Sequence, residues 1–136
     1  MKERTLFIIK PDATARHLTG EILRRIESAG FHIAALQMRH LTTDEALKFY
    51  DVHKDKEFYH PLVEFMTSGA CVAAVLEHEN AVEQLRKIVG KTDPAEAEAG
   101  TIRYDFGETI RRNSVHASDS QESAQKEIEF FFGIIG

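Results

Sequence analysis

The residues best able to do chemistry lie close together near the C-terminal end, in Arg111-Arg112-Asn113-Ser114-Val115-His116-Ala117-Ser118-Asp119-Ser120. His116 stands in a short apolar stretch beside a helix start, where neighbouring polar groups can hold the imidazole in one tautomer. The free N–H groups of that helix start favour an anion. A histidine that attacks phosphorus must be neutral, must have its second ring nitrogen hydrogen-bonded, and must have cations around the phosphate. Lys10, Arg86, Arg103, Arg111 and Arg112 can supply them. A serine-hydrolase triad fits poorly, because Ser114 and Ser118 lie only two residues from His116 and no G-x-S-x-G elbow is present. The other histidines, His17, His32, His40, His53, His60 and His78, form no i, i+4 pair around a glutamate. With Cys71 the only cysteine, a zinc site is not expected. Gly90-Lys91-Thr92 imitates the tail of a P-loop, but Leu85 stands where the motif needs its first glycine, and the segment follows a helix.

These groups need a scaffold. Leu6-Phe7-Ile8-Ile9 and Ala70–Leu76 are continuous apolar runs that predict buried strands. Phe31–Leu41 is strand-like, alternating and then shifting phase, as a bulge or burial on both sides would explain. Helices are expected from Thr19 to Gly30, from a Thr42/Glu45 capping box through Tyr50, from Pro61 to Ser68, and from Asn80 to Val89. The last helix follows the Ser118-Asp119-Ser120 cap, with Ala124, Ile128 and Phe131 inward. Val115–Ala117 predicts a short strand, and residues 91–114, with Pro94, Gly100 and Gly107, read as a long ordered loop. The order fits an α+β, ferredoxin-like split βαβ domain over residues 1–136, a four-stranded antiparallel sheet with helices on one face.

Composition narrows the function classes. The chain of 136 residues is 43% hydrophobic and 29% charged, within the ordinary globular range, and Cys71 cannot form an intrachain disulfide. The net charge of −5 gives no global attraction to nucleic acid or acidic membranes, so a phosphate ligand needs a local basic cluster. Only four apolar residues precede Lys10, too few for a signal peptide or membrane span, so a soluble cytoplasmic protein is expected.

Asn113-Ser114-Val115-His116-Ala117-Ser118-Asp119 has the form N-x-x-H-[GA]-S-D and resembles the active-site segment of nucleoside diphosphate kinases. Thr5–Asp12 resembles that family's first strand and lysine, Gly90–Ala95 its loop after the fourth major helix, and Gly100–Phe106 its arginine segment. The resemblance implies transfer of the γ-phosphate of a nucleoside triphosphate to a nucleoside diphosphate, ping-pong, with His116 as nucleophile. It implies phosphate contacts from Lys10, Arg86, Thr92 and Arg103, and sugar contacts from Asn113 and Lys10. Phe58 and Leu62 would sandwich the base, which predicts broad base specificity because apolar contact reads no donor pattern. Tyr50 and Ser118 would give supporting hydrogen bonds, and Glu127 would orient the imidazole. Mg²⁺ would be held mainly by the nucleotide's phosphates, with no direct protein ligands, and the chain would form a dimer-based homo-oligomer, a tetramer rather than a hexamer. Neither nucleic acid nor membrane is an expected partner.

The sequence departs from the family pattern at Tyr104, which either narrows the site or points outward, and at Ala13, where glycine is common and the turn is expected to differ. The chain also stops early, at an apolar Phe130–Gly136 end whose burial, as at a subunit contact, is expected. Two competing expectations are a nucleotide- or nucleic-acid-binding module that keeps the fold without the chemistry, and a metal-free phosphohydrolase.

Overall fold

The computed structural model describes residues 2–133. Strand β1 (Lys2–Ile9) is followed by α1 (Pro11–Ala15), α2 (Thr19–Ser28) and β2 (His32–Arg39). Helix α3 (Thr43–Phe49), a 3-10 turn at Asp51–His53 and α4 (Tyr59–Met66) lead to β3 (Cys71–Glu79). Helix α5 (Ala81–Val89), a 3-10 turn at Pro94–Glu96, α6 (Ile102–Phe106), β4 (Val115–Ala117) and α7 (Gln121–Phe132) complete the order. The sheet runs β2-β3-β1-β4, and every pairing is antiparallel. That is the split βαβ arrangement.

The helices cover both faces of the sheet, not the one face expected. Side chains alternate across a strand, so Phe7 and Ile9 enter one core with Ile22 and Ile26 of α2, Leu85 of α5 and Ile102 of α6. Leu6 and Ile8 enter the other with Ala46 of α3, Val63 and Met66 of α4, and Ile128 and Phe131 of α7. The unbroken apolar runs of β1 and β3 follow from this two-sided burial. Burying each large side chain contributes about 1.5–3 kcal/mol relative to exposure, so β1, fully buried from Leu6 to Ile9, is the firmest strand on which to hang β4.

Local chemistry sets most element ends as expected. Thr42 and Glu45 form a reciprocal capping box, and the phase shift in β2 is a register irregularity between Ile33 and Ala35. Ser120 is the N-cap of α7, its side chain accepting from Ser123 N. Helix α4 starts two residues before Pro61, with Phe58 as N-cap. Residues 91–114 are not one long loop, since they contain the Pro94–Glu96 turn and α6. Ala13 lies in α1 and is fully buried, so the segment after Lys10 is helical and tolerates a Cβ there. Of the apolar C-terminal end, Phe131 is buried and Phe130 and Phe132 are half-buried, while residues 134–136 lie outside the described residues.

Candidate active site

His116 is the middle residue of β4 and pairs with Ile8 of β1. Its side chain is 23% exposed, accessible yet tethered. Nε2 donates to Glu127 Oε1 at 2.9 Å, and Ser118 Oγ donates to the same oxygen at 2.7 Å. An ionised carboxylate can only accept, so this contact assigns the ring proton to Nε2 and leaves the lone pair on Nδ1. Glu127 comes from α7, one turn before Phe131, whose burial fixes that helix against the sheet. Phe49, the last residue of α3, meets the imidazole edge-on with centroids 5.8 Å apart. The sequence treats Phe49 as one more apolar helix position, and no local signal marks it as a wall of the site.

Two arginines bracket His116 through the carbonyls on either side of it. Arg103 Nη2 donates to Val115 O at 2.9 Å, and Arg86 Nη1 donates to Ala117 O at 3.3 Å. Arg86 reaches the strand from α5, whose Val82, Leu85 and Val89 are buried. Arg103 is delivered by α6, where the side chain of Thr101 caps the helix by accepting from Tyr104 N at 3.3 Å. Its Nη1 also donates to Gly90 O at 3.0 Å. Gly90 has φ of 92°, and a Cβ there would lie 2.6 Å from Thr101 Oγ1. Only glycine allows the end of α5 and the start of α6 to approach so closely.

Lys10 follows β1 and is buried, its Nζ donating to Asn113 Oδ1 at 2.9 Å. Asn113 Nδ2 in turn donates to Thr92 O at 3.0 Å. Thr92 itself is exposed. Burial, and then the positive charge of Arg103, lower the Lys10 pKa to about 8, with Asp12 opposing. Burial and then Arg86 lower that of Arg103 to about 10. Lys10, Arg103 and Arg86 are therefore cations set side by side at a cost, the Nε of Arg103 being buried without a hydrogen-bond partner among the described residues. An anion between them would relieve both desolvation and repulsion.

Phe58 is 43% exposed and Leu62 half-buried. They are joined across the first turn of α4 by Leu62 N donating to Phe58 O at 2.9 Å, which puts them on one helix face. Ser118 is fully buried and bonded to Glu127. Tyr50 is buried as the C-cap residue of α3, but its hydroxyl has no hydrogen-bond partner among the described residues, so the supporting bond implied for it is not made. Burial, then the neighbouring Cys71 and Glu127, keeps that hydroxyl protonated. Tyr104 is 54% exposed. The structure thus brings His116, Glu127, Ser118, Arg86 and Arg103 together at β4, with Lys10, Asn113 and Thr92 bonded to one another beside it.

A split βαβ sheet carrying a tethered imidazole, with an arginine bonded to the backbone carbonyl on each side of that residue, has the makings of a phosphoryl-handling enzyme. Comparison with known proteins sharpens this. The family profile described as nucleoside diphosphate kinase matches residues 3–134. A curated nucleoside diphosphate kinase from Psychromonas ingrahamii is 58% identical over 130 residues, covering 96% of this chain and 90% of its own. One from Methanocaldococcus jannaschii is 54% identical over 132 residues, covering 97% and 94%. A solved structure of the Aquifex aeolicus nucleoside diphosphate kinase matches with a TM-score of 0.95 and 49% identity, covering 97% of this chain and 96% of that one. The chain belongs to the nucleoside diphosphate kinase family and is a phosphotransferase. Among the described residues no helix is long and apolar enough to cross a membrane.

Proposed function

We propose that this chain, as one domain, moves the γ-phosphate of a nucleoside triphosphate onto a nucleoside diphosphate through a phosphohistidine on His116. The Nδ1 lone pair attacks the γ-phosphorus, and the P–O bond to the β-phosphate breaks, so the diphosphate leaves with that electron pair. In the second half-reaction a terminal oxygen of the incoming diphosphate attacks, the P–N bond breaks, and the lone pair returns to Nδ1. The Nε2–H bond to Glu127 supports the positive charge that the ring gains when phosphorylated. Arg86, Arg103 and Lys10 balance charge on the equatorial oxygens as the phosphoryl group crosses. The observation that carries the reading is the single oriented imidazole, its proton held on Nε2 and an arginine at the carbonyl on each side.

The cationic side chains at β4 suit phosphate oxygens rather than a metal. Among the described residues no group of three or more His, Cys, Asp or Glu is arranged to hold an ion. Mg²⁺ would enter with the nucleotide, where it withdraws charge from the phosphates. The exposed Phe58 and the half-buried Leu62 offer apolar contact to any base, which supports weak discrimination. Tyr104 is 54% exposed, which supports its pointing outward over its narrowing the site. Strand β2 is an edge of the sheet, with Leu36 50% and Met38 64% exposed. That surface supports a dimer-based assembly, with a tetramer expected over a hexamer, and sedimentation measures it. We expect a cytoplasmic location.

Incubation with Mg²⁺ and γ-labelled ATP tests the mechanism. An acid-labile, base-stable label is expected on the protein, chased into nucleoside triphosphate by added GDP, absent in His116→Ala and retained in His78→Ala. Free phosphate without transfer to GDP would instead mark a phosphohydrolase, and no label at near-stoichiometric enzyme would end the reading.

A further inference from the structure

We propose that Asp12 is a positioning residue, which holds Asn113 and Lys10 in their working arrangement by fixing a left-handed turn at Ser114. The proposal rests on the reading above, in which Lys10 and Asn113 contact the nucleotide. Ser114 has φ of 75°, a conformation that residues with a Cβ avoid, and it is fully buried. Such a residue persists only where its surroundings over-determine it. Here three bonds from elsewhere in the chain do so, beside the bond within the turn itself, in which Val115 N donates to Asn113 O at 2.9 Å. Ser114 N donates to Asp12 Oδ2 at 3.1 Å, Lys10 N donates to Ser114 O at 2.8 Å, and Arg16 Nη2 donates to Ser114 Oγ at 3.3 Å. The first two clasp both ends of one residue between the segment after β1 and the segment before β4.

The Asp12 side chain is 1% exposed, its Oδ1 has no hydrogen-bond partner among the described residues, and Arg16 Nη2 stands 3.6 Å from Oδ2. Burial accordingly raises its pKa. A half-satisfied buried carboxylate is a poor device for stability alone. Its return is local, because it satisfies the one backbone donor that would otherwise be orphaned in the turn. Asn113 is the residue directly before that turn. Its side chain bridges Lys10 Nζ and Thr92 O, so any relaxation of Ser114 toward negative φ rotates the shared peptide and pulls Asn113 away from Lys10. Asp12 thus acts one peptide removed from the nucleotide-contacting groups.

A double-mutant cycle in the full-length protein tests this. Asp12→Ala is expected to lower kcat/KM about tenfold or more, mainly through KM. Asp12→Asn, whose side-chain oxygen still accepts from Ser114 N, is expected to recover most of that loss. In an Asn113→Ala background, Asp12→Ala should cost less than about twofold. Adding Ser114→Gly to Asp12→Ala should restore kcat/KM, because glycine adopts positive φ without a partner. Additive losses in the cycle, equal damage from Asp12→Asn, or no rescue by Ser114→Gly would each overturn the proposal. If Asp12→Ala does not fold, the Asp12→Ala/Ser114→Gly pair carries the test, expected folded and active, and its failure to fold overturns it. The underlying reading fails separately, if Asn113→Ala alone leaves kcat/KM unchanged.

Discussion

The two sides of the site are built differently. His116 sits on a strand zipped to β1, and its orienting carboxylate comes from a twelve-residue helix packed into the core. Two of the polar groups opposite depend on short pieces: Arg103 on a five-residue helix, and Asn113 on the turn it directly precedes. Their side chains are held by backbone carbonyls at Gly90, Thr92 and Val115. The proposed nucleophile therefore shares the stability of the sheet, whereas Arg103 and Asn113 share that of the 90–114 segment, which is expected to open first.

That contrast can be broken most directly at Arg103. Arg103→Ala should lower kcat by about 10²–10³-fold, as loss of a transition-state charge partner does. It should also speed hydrogen exchange across residues 94–106, since the bonds to Gly90 O and Val115 O vanish together. Normal exchange there would mean that the segment is not held through Arg103. On the sheet side, Glu127→Gln should lower kcat by about 10–100-fold, as loss of an orienting partner does. It should leave exchange in residues 91–114 unchanged, and faster exchange there would show the two sides to be coupled.

Lys10 adds a pH dependence. With a pKa near 8, its charge is lost as pH rises through that value, so kcat/KM should fall about tenfold per unit above it. Lys10→Met, already neutral, should lack that limb. For stability the sign is opposite. The folded state disfavours the charged form, so Lys10 opposes folding below about 8 and that cost is relieved as pH climbs toward 10.5. The smallest effect belongs to Phe58→Ala, with KM up about three- to tenfold and kcat within about twofold, because stacking is uniform binding. The reverse split would move the base contact into the transition state.

The strands, the capping box and the bulge were legible because each rests on periodicity or on a cap within a few residues. The second core was not anticipated: element order suggests helices on one face, although the unbroken Leu6–Ile9 and 70–76 runs already fit strands buried on both. Helix α6 was not. Five residues carry no period, and what makes it a helix is the Thr101 cap and the glycine that lets α5 approach. His116 could be singled out from its neighbours and the cations counted. Which arginines converge on it depends on contacts between distant segments, so their assignment came through the family pattern. Phe49 and the Asp12–Ser114 bond were invisible for the same reason.

The joining of Leu6 to Ser118 spans 112 residues of chain. Before that junction closes, His116 lacks its pairing with β1, and a fragment without α7 lacks Glu127. During refolding, enzymatic competence should be among the last properties regained, after most helical signal has returned.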